Sequence, residues 1–105
     1  MNVSIENDGG AHLVRVLGDV DLETSPKLWT QLQEQLRVGS KVVVELSGVT
    51  YIDSSGVAVL IQGLKHAQKR GVGYALRAPS ARVRSVLELA QLSRLFEIED
   101  PTGGA

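Results

Sequence analysis

The six residues "KVVVEL", 41 to 46, restrict the fold of this chain more than any other stretch. Three consecutive valines favour an extended strand, and the run has too little polar alternation for a strand with one face in water. Such a strand belongs at the centre of a sheet covered on both faces, so the chain must also supply helices to flank it. "DLETSPKLWTQLQEQLRVG" supplies the first. Ser25 before Pro26 marks its start, because proline in the first turn forfeits no hydrogen bond and fixes a suitable φ. Leu28, Leu32 and Leu36 then fall on one stripe with Trp29 beside it, and Gly39 ends the helix. A second helix carries Val57, Leu60, Ile61, Leu64 and Ala67 at helical spacing and closes at Gly71 to Gly73. A third begins at Pro79 and Ser80, with Val83, Val86, Leu87 and Ala90 on its inner face.

The remaining strands are short. "VSIE" and "HLVRVLG" lie either side of "NDGG", whose glycines supply the positive φ of a tight reversal, which predicts a hairpin with strands near 3–7 and 11–18. "YALRA" and "LFEI" complete the set. The order is β-β-α-β-α-β-α-β, an α/β fold with a mixed, mostly parallel sheet, right-handed crossovers and an antiparallel hairpin at one edge. Its 105 residues suit a single domain, 1–105, with "EDPTGGA" at about 99–105 expected to fray for want of apolar content.

Composition narrows the function. With no cysteine, disulfide frameworks, thiol nucleophiles and thiolate metal sites are excluded, and two histidines with dispersed acids predict no metal centre. A net charge of -1 with scattered basic residues and few aromatics does not make a nucleic-acid surface. No apolar run is long enough to span a membrane, and "MNVSIENDGG" has no secretion signal, so a cytoplasmic protein with no direct membrane insertion is the expectation.

The chemistry concentrates at "VTYIDSSGVAVLIQGL", 49 to 64, where a strand gives way to a helix at Asp53, Ser54 and Ser55. The first free N–H groups of that helix point at these side chains, with the positive end of its dipole behind them. Either serine can cap the helix, Ser54 being the better placed. Hydrolysis by Ser55 lacks the spacing of a nucleophile elbow and lacks a base: His66 is eleven residues on, about 16 Å along a helix, and His12 belongs near the hairpin turn as a surface residue. A phosphorylated Asp53 of a receiver domain, with Asp19 and Asp21 as further carboxylates, lacks the lysine that should follow late in the chain. A serine that accepts phosphate for signalling fits better. The fold tolerates about -1.5 to -2 added charges at a helix start, while a docked partner meets them as repulsion and bulk.

Through these residues the chain resembles the STAS domain family, named for sulphate transporters and anti-sigma factor antagonists. "VLGDVDLETSPKL", "VVVELSGVTYIDSSGVAVLI" and "SARVRSVLELAQLSRLFEI" carry the resemblance over nearly the whole length. Similarity to bacterial anti-sigma factor antagonists implies a non-enzymatic binding module without cofactor, and makes Ser55, the second serine, the phosphate acceptor. Asp53, Ser54 and Gly56 shape the switch loop, Gly56 leaving room for a partner to approach. The loops "GDVDLETS" and "DSSGV", with Asp19, Asp21 and Val57, are expected to form one docking surface at the strand ends. The implied partners are an anti-sigma factor of the serine-kinase ATPase class and a metal-dependent serine phosphatase. The first helix's "KLWTQL" and the short C-terminal end are also similar to the STAS subunits of bacterial phospholipid-transport ABC systems, which bind the ATPase subunit. In that alternative the relevant hydroxyl aligns with Ser54.

Overall fold

The chain closes its first reversal with Gly9 and Gly10, both at positive φ (58° and 88°), which places β1 (Asn2–Asp8) antiparallel to β2 (Ala11–Val20). The computed structural model describes residues 1–100. After β2 come α1 (Ser25–Val38), β3 (Lys41–Ile52), α2 (Ser54–Arg70), β4 (Gly73–Arg77), α3 (Ala81–Leu89) and β5 (Ile98–Glu99). The sheet runs β1-β2-β3-β4-β5, and every pair after the hairpin is parallel. The α/β order and the antiparallel edge are those expected from the sequence.

Alternation along the strands divides the core. Val14, Val16, Val42, Val44, Leu46, Tyr74 and Leu76 join Leu28, Leu32 and Leu36 of α1 and Leu60, Leu64 and Ala67 of α2 in one buried cluster. Leu13, Val43 and Ala75 lie in register on the opposite face and are also buried. Their neighbours on that face, two residues further along each strand, are Arg15, Glu45 and Arg77. Arg15 bridges Glu6 and Glu45, each at 2.9 Å. Arg77 spans from β4 to Asp8 of β1 at 2.8 Å and pairs with Glu99 at 3.0 Å, which also holds Lys41 at 3.0 Å. The central strand is therefore covered on both faces as expected, but helices account for only one cover. Ion pairs carried by long side chains lie across the other.

Four local expectations change. The last strand is Ile98–Glu99, two residues rather than "LFEI", because Leu95 N–H closes a turn onto Leu92 O (2.9 Å) and Phe96 turns into the core. Ala90 caps α3 and is exposed, so the inner stripe stops at Leu87. Glu99 belongs to β5 and is held by two cations, so it is no part of a frayed tail; residues 101–105 lie outside the described residues. His12 is half-buried, its Nδ1 donating to Gln35 Oε1 of α1 at 2.6 Å, rather than a plain surface residue.

Candidate functional site

The site begins where β2 and β3 run past the end of β4. Two register shifts between β2 and β3, at Arg15/Leu17 and Gly18/Asp19, carry β3 on to Ile52, which pairs with Val20. Both residues are buried, and Asp53 N–H donates to Val20 O at 3.2 Å, so the loops that follow β2 and β3 leave the sheet side by side.

Asp53 has an extended backbone (φ -115°, ψ -171°) and caps α2. Its Oδ1 accepts from Ser55 N–H at 3.0 Å, Gly56 N–H at 3.3 Å and the Ser55 hydroxyl at 2.5 Å. The Ser55 hydroxyl, helped by the Gly56 and Ser55 N–H groups, outweighs the desolvation that would raise it and holds the Asp53 carboxyl below the ordinary aspartate range. The capping role expected of Ser54 thus belongs to Asp53, whose charge suits the helix dipole better than a neutral hydroxyl. Ser55 is half-buried with its hydroxyl engaged. Ser54 is exposed, and no hydrogen bond involves its hydroxyl among the described residues.

Gly56 and Val57 face inward. A Cβ on Gly56 would stand 2.7 Å from Ile52 Cγ1, 2.8 Å from Val20 Cγ1 and 3.1 Å from Val20 O. The space that glycine leaves is filled by the protein's own strands, not held open for a partner. Val57, expected on the docking surface, is 8% exposed and part of the core. The exposed residues of this first turn are Ser54 and Ala58.

The β2–α1 loop stands alongside. Asp19 is exposed and its Oδ1 accepts from the Thr50 hydroxyl at 2.6 Å. Asp21 turns its carboxylate inward on the loop: Oδ1 accepts from Glu23 N–H at 3.1 Å, Thr24 N–H at 3.0 Å and the Thr24 hydroxyl at 3.1 Å. Thr24 Oγ1 accepts from Asp21 N–H at 2.9 Å and lies 3.0 Å from Asp19 O, its other acceptor within reach. Asp21 therefore organises the loop more than it presents charge. The tip of that turn is Leu22, 78% exposed. Sequence reasoning passed over Leu22, Thr24 and Thr50. The signal for the turn was present in Asp21 and Thr24 three apart, a pairing that closes Asx and Ser/Thr turns.

His66 packs edge-on against the half-buried Trp29, ring centroids 4.9 Å apart, and among the described residues the Ser55 hydroxyl is bonded to the Asp53 carboxylate. Among the described residues no group of three or more His, Cys, Asp or Glu is arranged to hold a metal, and no helix is long and apolar enough to cross a membrane.

Comparison with known proteins finds relatives of the whole fold. The family described as "Mlab, STAS domain" matches residues 3–97. The anti-sigma-B factor antagonist of Listeria monocytogenes is 31% identical over 98% of this chain and 94% of its own length. An anti-sigma factor antagonist from Mycobacterium paratuberculosis superposes with a TM-score of 0.83 over 96% of this chain and 86% of its own, at 24% identity. The Bacillus cell fate determinant SpoIIAA in its phosphorylated form does so with a TM-score of 0.76, over 96% and 92% of the two chains, at 16% identity. The fold, the strand-to-helix junction and these likenesses together place the chain in the STAS domain family.

Proposed function

We propose that this chain is an anti-sigma factor antagonist whose hold on its partner is switched by phosphorylation of the serine pair at the start of α2. The observation that carries the reading is the state of the two hydroxyls. Ser54 stands exposed and unbonded at a helix start, next to a cap that Asp53 already completes. The resemblance implied Ser55 as acceptor, but transfer to its oxygen must first break the bond to Asp53 and then set a phosphate dianion against that carboxylate. Transfer from the γ-phosphate of ATP to Ser54 Oγ, with release of ADP and the hydroxyl proton, meets neither obstacle. Relatives named as anti-sigma factor antagonists support the partner class, and the anti-sigma factor of the serine-kinase ATPase type supplies the phosphoryl group in this scheme. A serine phosphatase reverses it.

The unphosphorylated surface binds the anti-sigma factor and so releases the sigma factor. The phosphorylated surface is rejected by the bulk of the phosphate and the cost of stripping its water, while the helix dipole keeps the fold intact. Binding measured by titration calorimetry separates the states: Ser54→Ala should bind as wild type does, and Ser54→Asp at least tenfold more weakly, about 1.4 kcal/mol. Equal affinity for Ser54→Asp and wild type would overturn the switch.

The likeness of "KLWTQL" in α1 to the STAS subunits of bacterial phospholipid-transport ABC systems supports a second reading, an accessory subunit bound to the ATPase of such a complex. Purification from the native source would then bring down a permease with its ATPase, and their absence would count against it.

A further inference from the structure

Leu22 combines an exposed side chain with a backbone held in a closed turn. At 78% exposed it is among the most exposed large apolar side chains of the described residues, and it lies in the loop adjoining the serine pair. The turn that carries it is closed on both sides, with Asp21 and Thr24 satisfying one another's backbone and side-chain groups. A leucine on a mobile loop loses backbone and side-chain freedom when it binds; one carried by a closed turn has already lost the backbone share. Leu89 is comparably exposed at 84%, but it ends α3, which begins at the strand ends where the serines lie and runs away from them.

The surroundings define the partner. Asp19 and Glu23 are exposed on either side of Leu22, and Asp53 stands at the adjacent loop. No lysine or arginine occurs between residues 16 and 26 or between 46 and 64; Arg82 of α3 reaches the edge of this face, its guanidinium 5.2 Å from the centroid of the Tyr51 ring, and Tyr51 pairs with Asp19. Resting on the proposed antagonist reading, we infer that Leu22 is the apolar anchor of the docking surface and that it enters an apolar pocket rimmed by basic side chains on the anti-sigma factor. Asp21 is its positioning residue: its carboxylate faces the loop and holds the leucine out. Attraction between the acidic rim and a basic partner speeds encounter and weakens as salt is raised.

The test uses the full chain and the purified ATPase-class anti-sigma factors of the same genome. Leu22→Ala should weaken binding roughly tenfold to a hundredfold, the range expected for an apolar side chain that is fully buried on association. Leu22→Met should retain most of the affinity, and Leu89→Ala should bind as wild type does. The thermal midpoint of Leu22→Ala should not move, since the side chain is already in water. Wild-type affinity should fall with added salt. If Leu22→Ala binds within twofold of wild type while Ser54→Asp is still rejected, the anchor is overturned and the switch survives. Affinity indifferent to salt overturns the basic rim. If the wild-type chain binds none of these anti-sigma factors, the antagonist reading falls and the anchor falls with it.

Discussion

Asp53 Oδ1 accepts three hydrogen bonds, and one carboxylate thereby joins the end of β3 to the start of α2 and engages one of two neighbouring hydroxyls. The motif itself was legible: an acid, two serines and a glycine between two hydrophobic periods mark a strand-to-helix junction with polar work to do. The division of labour within it was not, because Asp, Ser and Ser are all good caps and only the backbone angle at Asp53 selects among them. Asp53→Asn should lower the urea midpoint at neutral pH. The sign with pH follows from the depressed native pKa: Asp53's contribution is complete above its unfolded value of about 3.9 and is lost as pH falls through the lower native value. The midpoint difference between wild type and Asp53→Asn should therefore be constant near neutrality and shrink in acid. A constant difference down to the acid transition would contradict this. Gly56→Ala should cost about 1–3 kcal/mol in equilibrium unfolding, since its methyl meets two strands and not a flexible side-chain end.

At the scale of elements, the same six residues that demanded a doubly covered strand also held the clue to its second cover. Lys41 and Glu45 flank the three valines, and both enter ion pairs on the face away from the helix cluster. Hydrophobic pattern reports that a strand is buried; it does not report what lies over it, because arginine and lysine stems cover apolar surface as well as a helix does. Burial alone would raise the Glu45 pKa, but Ser47, through its side chain and through its N–H at 2.6 Å, and then Arg15 outweigh it and hold Glu45 below the ordinary range. Arg15→Ala leaves that half of the balance unmet and should destabilise by about 1 kcal/mol, a figure kept small because Arg15 is itself part-exposed. The loss should be largest near neutral pH and fade as Glu45 is protonated in acid. Chemical denaturation of both chains across that range checks it.

On the scale of the whole molecule, Arg77 and Glu99 connect the first turn of the chain to its last strand. The sequence placed a strand near residue 98 but not its length, because "LFEI" reads as four extended residues when two of them serve a turn and the core. Nor could it place Glu99, whose partners at Lys41 and Arg77 are 58 and 22 residues away in the chain. A chain ending at Glu97 loses β5 and leaves both cations without their shared carboxylate. Its thermal midpoint should fall by roughly 4–8 °C for each kcal/mol lost, and an unchanged midpoint would mean that the last strand adds nothing.

At the ends of β2 and β3, the proposed switch puts phosphate on an exposed hydroxyl beside a completed cap. Incubation of wild type, Ser54→Ala and Ser55→Ala with ATP and the cognate ATPase-class anti-sigma factor, followed by mass-spectrometric site mapping, tests this directly. The expected result is one phosphate on Ser54 in wild type and in Ser55→Ala, and none in Ser54→Ala. Phosphate on Ser55 with Ser54→Ala still modified, or no modification of any of the three chains, would contradict it.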